Sequence, residues 1–287
     1  MPFEIQAHRG ARAYYPENTI QAFCMAADLG CRVIELDLVV SNDHRILVSH
    51  DPWVSDRSGD TPSRQYFYSM SYEEIARIDC GNPSPEFPGQ QRIVAFRPEL
   101  SAVFREVEAH LCRIGRPGQM IYNLEVKSWP ALDGIAHPPP AEYAALVIRE
   151  IVRSGLGERV RLQSFDDRIV SAAHHLMPEL CYGLLVDDSD MFDAFPGRPG
   201  FMPAYVNPYY ALVDEGVVEK LHRLGVKVVV WTVNRPEEMI RMKQLGVDGL
   251  ITDHPEIALH LPELGAVPGS AELQLGELGR SQPGFID

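Results

Sequence analysis

Eight apolar runs of strand length punctuate the chain, most of them followed by a stretch with helical spacing, and this alternation limits the fold more than any other feature. The runs fall at residues 3–7, 33–40, 120–127, 160–165, 180–186, 204–207, 226–234 and 249–253. After the first run, Ile20, Phe23, Cys24 and Ala27 repeat at i, i+3, i+4 and i+7, the spacing of one buried helix face. Leu100, Val103, Phe104, Val107 and Leu111 do the same later, and further helices are expected near 141–154, from 167, at 213–224, at 236–245 and after Pro255. Val33 to Val40 is apolar on both sides of Glu35, as in a strand of a parallel sheet covered on both faces. Eight such units predict an α/β fold, a (β/α)8 barrel. A doubly wound open sheet is the alternative, but no GxGxxG follows any strand. Residues 52–97 are richer in Pro, Ser, Gly and aromatics and hold periodicity only near 72–78; they read as an insertion after the second strand. The barrel is expected to span residues 1–264, with a weakly patterned tail at 265–287.

In a barrel the carboxyl ends of the strands form the face that carries active sites. His8, Glu35, Asp37, His50, Glu125, Lys127, Gln163, Asn207 and Trp231 all fall at such ends or just after them. Gly10 permits a tight turn after His8-Arg9, and Asn18, with Gln21 three residues on, reads as a helix cap with a capping box. Glu35 and Asp37 at i and i+2 share one side of a strand. Two unpaired carboxylates buried together would be very costly, and a cation is the simplest resolution. Glu35, Asp37 and Glu125 form an all-oxygen ligand set suited to Mg2+ or Ca2+. Arg9 and Lys127 are placed to hold an anion, most simply a phosphate. His8 and His50, from different strands, can divide general acid and general base work. Together these parts describe phosphodiester cleavage. The plainer alternative pairs Glu35 and Asp37 with Arg9 and Lys127 as structural salt bridges. Trp231 reads equally as pocket wall or core, Gln163 and Asn207 as groups satisfying backbone, Glu17 and Asn18 as a cap and loop-ordering pair, and Asp253 as ordering the turn after the eighth strand.

The net charge is −14, from 26 basic and 40 acidic residues, which argues against nucleic acid and anionic membranes as partners and does not forbid an anionic small-molecule phosphodiester, since a local metal and a few cations can reverse the field inside a pocket. Five cysteines, at 24, 31, 80, 112 and 181, form no CxxC pair and fit reduced thiols in a cytoplasmic protein. No signal peptide is evident, and no apolar run approaches the roughly 18 residues of a membrane span. Oligomeric state has no sequence signal.

The sequence resembles the glycerophosphodiester phosphodiesterase family. The matching pieces are His8-Arg9-Gly10, Pro16-Glu17-Asn18-Thr19, Glu35-Leu36-Asp37, His50-Asp51, Glu125-Val126-Lys127, Gln163-Ser164-Phe165, Trp231-Thr232-Val233-Asn234 and the run from Gly246 to Pro255. The resemblance implies a TIM barrel with an insertion after strand two, a divalent cation, and hydrolysis of glycerophosphodiesters to an alcohol and glycerol 3-phosphate. Carried across, His8 and His50 are the acid–base pair, Glu35, Asp37 and Glu125 the metal ligands, and Arg9 and Lys127 the phosphate contacts. Two departures affect substrate choice more than mechanism: Asp43-His44-Arg45 stands where the family often has a glycine, and Arg97-Pro98-Glu99-Leu100 replaces the usual Pro-Thr-Leu. The alternatives are a lysophospholipase D or sphingomyelinase D-like enzyme on the same site, and a phosphodiester-binding protein without catalysis.

Overall fold

In the computed structural model, residues 2–56, 63–189 and 200–265 are described. The strands are β1 (Glu4–Ala7), β2 (Val33–Val40), β3 (Ile46–Val48), β4 (Trp53–Asp56), β5 (Ser63–Tyr66), β6 (Ile121–Val126), β7 (Val160–Ser164), β8 (Cys181–Val186), β9 (Tyr205–Pro208), β10 (Lys227–Val230) and β11 (Gly249–Thr252). Eight of them, β1, β2 and β6 to β11, pair side by side in parallel, and β1 pairs with both β2 and β11, so the sheet closes into a barrel. This is the TIM-barrel fold expected from the sequence. All eight residues of β2 are buried: Ile34, Leu36 and Leu38 join the apolar core under the helices, and period-two alternation turns Glu35 and Asp37 the other way, into the barrel.

The helices are α1 (Ile20–Leu29), α2 (Tyr72–Ile75), α3 (Leu100–Arg113), α4 (Pro140–Ser154), α5 (Asp167–Leu176), α6 (Glu215–Arg223), α7 (Pro236–Gln244) and α8 (Pro255–His260). The stripe of α3 is buried at Leu100, Val103, Phe104, Val107 and Leu111, each contributing roughly 1.5–3 kcal/mol of transfer free energy. The cap of α1 differs from expectation. Thr19, not Asn18, is the N-cap, with its hydroxyl accepting from Ala22 N at 3.2 Å. Asn18 instead takes φ 58° and sends its side chain to Asp37. Gly10, at φ +85°, lies so close to α1 that a Cβ there would meet the Ala22 carbonyl carbon at 2.7 Å.

Past β2 the chain turns back as β3, antiparallel to β2, and then forms the β4–β5 hairpin. In the turn before β3, His44 adopts φ 60°, and Asp43 accepts from Ser41 Oγ at 2.6 Å and from the Tyr72 amide at 2.9 Å. Further on, Gln91 N donates to Tyr14 O at 2.9 Å, and Arg12 reaches Glu86 at 3.5 Å, which ties this excursion to the loop after β1. Residues 57–62, residues 190–199 and the tail from 266 lie outside the described residues. Among those described, no helix is long and apolar enough to cross a membrane.

The amino-terminal end of the barrel interior is polar and closed on itself. Arg161 donates two bonds to Glu4, at 2.6 and 2.8 Å. Gln6 donates to Glu4 at 2.7 Å, and Asn123 to Gln6 at 2.7 Å.

Candidate active site

At the opposite end, the register places Asp37 beside Glu125 and Glu125 beside Gln163. Glu35, Asp37 and Glu125 are buried, and one oxygen from each lies within 4.8 Å of the others. Two cations enter the cluster. Lys127 Nζ is 2.8 Å from Asp37 Oδ1 and also donates to Glu125 Oε1. Arg9, held at φ 56° by the turn, donates its backbone N–H to Glu35 Oε2 at 3.0 Å, sets Nε 3.2 Å from Asp37 Oδ2, and grips both Glu17 oxygens at 3.0 Å. Asn18 Nδ2 completes the shell of Asp37 at 2.8 Å. So Glu17 and Asn18 order the loop and the carboxylates.

The cluster is electrostatically uneven. Burial raises the Asp37 carboxyl, but Lys127 and Arg9 outweigh it and hold the group far below the ordinary carboxylate range. Burial, with Asp37 and Glu125 adding to it, pushes Glu35 well above that range. Burial likewise opposes charge on Lys127, yet Asp37 and Glu125 raise its pKa and keep it protonated. Glu35 Oε1 is buried with no hydrogen-bond partner among the described residues. An orphaned carboxylate oxygen beside two further carboxylates fits a divalent cation, and Glu35, Asp37 and Glu125 are the residues that would hold it.

The histidines flank this cluster differently. His8 Nδ1 is 2.7 Å from Asp253 Oδ1, and Asp253 is fixed in turn by Asn234 Nδ2 at 2.7 Å and by its own amide donating to Asn234 Oδ1 at 2.9 Å. That bond leaves Nε2 of His8 as the nitrogen available to the cavity. Burial raises the Asp253 carboxyl, but the His8 bond, His8 charge and Arg12 hold it well below the usual range. His50 follows β3, with Nδ1 3.0 Å from Asp51 Oδ1; its side chain is 39% exposed, against 13% for His8.

A cavity of about 170 Å³ joins these groups; His8, Arg9, Glu35, His50, Glu125 and Lys127 line it together with Gln163 and Trp231. Asp37 lies in the same carboxylate cluster. Trp231 is therefore wall, not plain core, and it packs edge-on to Phe165 at 5.4 Å while its Nε1 donates to Asn207 O at 2.7 Å. Sequence reasoning missed Asp253 as the partner of His8 and Asn234 as the residue that fixes Asp253; both stand in matched motifs, but nothing local in sequence points from residue 253 to residue 8. It also passed over Phe165, Leu185, Thr232 and Ile251 as lining residues.

A model of the glycerophosphoryl diester phosphodiesterase family matches residues 8–257. The chain belongs to this family. A glycerophosphodiester phosphodiesterase from Caldanaerobacter subterraneus subsp. tengcongensis is 34% identical over 261 residues, covering 90% of this chain and 97% of that protein. A solved structure from Silicibacter pomeroyi DSS-3 superposes with a TM-score of 0.78 at 27% identity, covering 92% of this chain and 93% of its own. A phosphodiesterase from Oleispira antarctica, solved in complex with the product sn-glycerol-3-phosphate, superposes at 0.67 with 20% identity over 88% of this chain and 94% of its own. As a member of the glycerophosphoryl diester phosphodiesterase family, the protein is a phosphoric diester hydrolase.

Proposed function

We propose that the protein hydrolyses glycerophosphodiesters to an alcohol and sn-glycerol 3-phosphate, with a divalent cation on Glu35, Asp37 and Glu125 and with His8 and His50 as the acid–base pair. The observation that carries this reading is the orphaned Glu35 oxygen in a buried three-carboxylate cluster, facing a cavity that two histidines also line. Mg2+ and Ca2+ are the ions that such oxygen ligands suit. When bound, the cation polarises phosphoryl oxygens and neutralises charge developing on them.

The remaining work falls to the chain. Arg9 and Lys127 contact the phosphate; both are kept charged against burial by the carboxylates around them. Asp253 holds the His8 ring so that one proton-transfer nitrogen, Nε2, faces the reaction. His50 handles the second proton from the open side of the cavity. Trp231 and Phe165 form an apolar wall for the carbon skeleton of the substrate. The described residues 63–97 of the insertion, tied to the loop after β1 through Glu86 and Gln91, shape the entrance and with it head-group choice. A cytosolic setting belongs to the same reading, supported by five cysteines that all stand as free thiols. The glycerol-3-phosphate bound by the Oleispira antarctica enzyme supports the product assignment.

The test is a coupled assay for glycerol 3-phosphate release from several glycerophosphodiesters, with Mg2+, with Ca2+ and with chelator. Metal-dependent release is expected. Turnover of lysophosphatidylcholine alone would move the substrate to lipids, and tight binding without turnover in the presence of metal would remove the catalytic reading.

A further inference from the structure

Gln163 and Asn207 sit on β7 and β9, two strands apart, yet their side chains touch. They meet across Gly183 of β8, which pairs in register with Gln163. A Cβ on Gly183 would stand 3.3 Å from Asn207 Nδ2 and 3.5 Å from Gln163 Cβ, so the missing side chain is what lets the two amides join. Both are buried, at 1% and 3% exposure. Asn207 Nδ2 donates to Gln163 Oε1. Gln163 Nε2 and Asn207 Oδ1 are left buried without a hydrogen-bond partner among the described residues.

Turning both amides over exchanges the atoms but not the outcome: one donor and one acceptor stay unused in either arrangement. Unpartnered buried amides are rare because they cost stability. Gln163 is part of the cavity wall, one strand over from Glu125. A phosphoryl oxygen or a carboxylate only accepts, and would satisfy one of the two arrangements. A hydroxyl both donates and accepts, and satisfies either. We infer that Gln163, braced by Asn207, is the subsite that binds a hydroxyl of the substrate's glycerol unit, so the cavity selects hydroxyl-bearing phosphodiesters. This inference rests on the function proposed above.

The test compares kcat/KM for glycerophosphocholine, 3-hydroxypropyl phosphocholine, which lacks the secondary hydroxyl, and propyl phosphocholine, which lacks both. A site built to bond a hydroxyl rejects an analogue without it, so the wild type should lose at least about a hundredfold from the first substrate to the last. Gln163→Leu should lower glycerophosphocholine turnover at least about tenfold through KM and narrow the preference over propyl phosphocholine by the same factor. The double variant Gln163→Leu/Asn207→Leu, which leaves no orphaned amide, should lose the same preference and covers the case in which the single variant fails to fold. Equal wild-type rates on all three substrates would overturn the subsite alone. An equal fall on every substrate in the variants, or a higher Mg2+ requirement, would also overturn it and make Gln163 a positioning residue for Glu125. Wild-type turnover of none of the three would refute the proposed function and the subsite with it.

Discussion

The two ends of the barrel interior are built from the same strands and are both rich in charge, yet they differ in one respect. At the amino-terminal end Glu4 and Arg161 face each other in a two-bond fork, and Arg161 also lies over the Tyr205 ring at 4.5 Å. At the carboxyl end three carboxylates meet two cations, and one carboxylate oxygen has no partner among the described residues. β1 contributes Glu4 to one end and leads into His8 at the other; β7 contributes Arg161 and Gln163. Cavity size does not mark the site either, since the lower cavity, lined by Glu4, Arg161, Tyr205 and Lys227 among others, is the larger, about 510 Å³ against about 170 Å³ above. The lesson is that charge density does not mark a site in this barrel; charge mismatch does. A matched pair supports the fold, and a mismatch is a place kept for something else.

Removing the cation should give the largest effect. Chelation is expected to lower activity at least about a thousandfold, several kcal/mol of lost charge stabilisation, with Mg2+ or Ca2+ restoring it; full activity in protein shown to be metal-free would break the comparison at its root. Next come the histidines. His8→Ala and His50→Ala should each cut kcat at least about a hundredfold in protein that still folds, and a variant that kept most of its turnover would lose its assigned role. Asp253→Asn should cost less, roughly ten- to a hundredfold, because it disturbs only how the His8 ring is held. The same variant carries a pH signature. The native Asp253 carboxyl is held below its ordinary value, so its contribution to stability is full above the ordinary carboxylate range and fades as pH falls toward the native value. Melting curves of Asp253→Asn should therefore lose part of the acid-side slope seen in the wild type. At the matched end, Arg161→Leu should destabilise the fold by about 1–3 kcal/mol in chemical denaturation and leave kcat within about twofold. Collapse of kcat without loss of stability would show that the lower end also serves the chemistry.

The barrel was legible because its strands are covered on both faces. Such strands must be apolar almost throughout, which made Glu35 and Asp37 conspicuous within β2. The carboxylates were legible for the same reason, being residues that the core alone would not favour, whereas the histidines stood out by their positions after strands and meet at one cavity. What escaped depends on tertiary neighbours. Asn18 and Thr19 are both good cap residues, and sequence alone favoured the wrong one; Asp37 claims the Asn18 amide, which leaves the cap to Thr19. Asp253 read as a turn residue because its partner is 245 positions away. Gln163 and Asn207 read as backbone-satisfying groups because their meeting depends on an absent side chain at Gly183 on the strand between them. The β4–β5 hairpin hid in a stretch of faded periodicity; Trp53 and Tyr66 pair edge-on at 6.0 Å there, but a two-stranded ribbon away from the main core needs no long apolar stripe.

The closure of β1 against β11 has a consequence for when the molecule becomes an enzyme. Every nominated acid, base, metal ligand and phosphate contact has been synthesised once residue 127 is made. The carboxylate that steadies His8 is among the last parts of the barrel to appear, and the strand next to β1 arrives with it. Contacts of such long sequence separation form late. A chain stopped anywhere between residues 127 and 253 would carry both histidines and all three carboxylates and still lack the hold on its first histidine, so full hydrolysis reports that the barrel has closed.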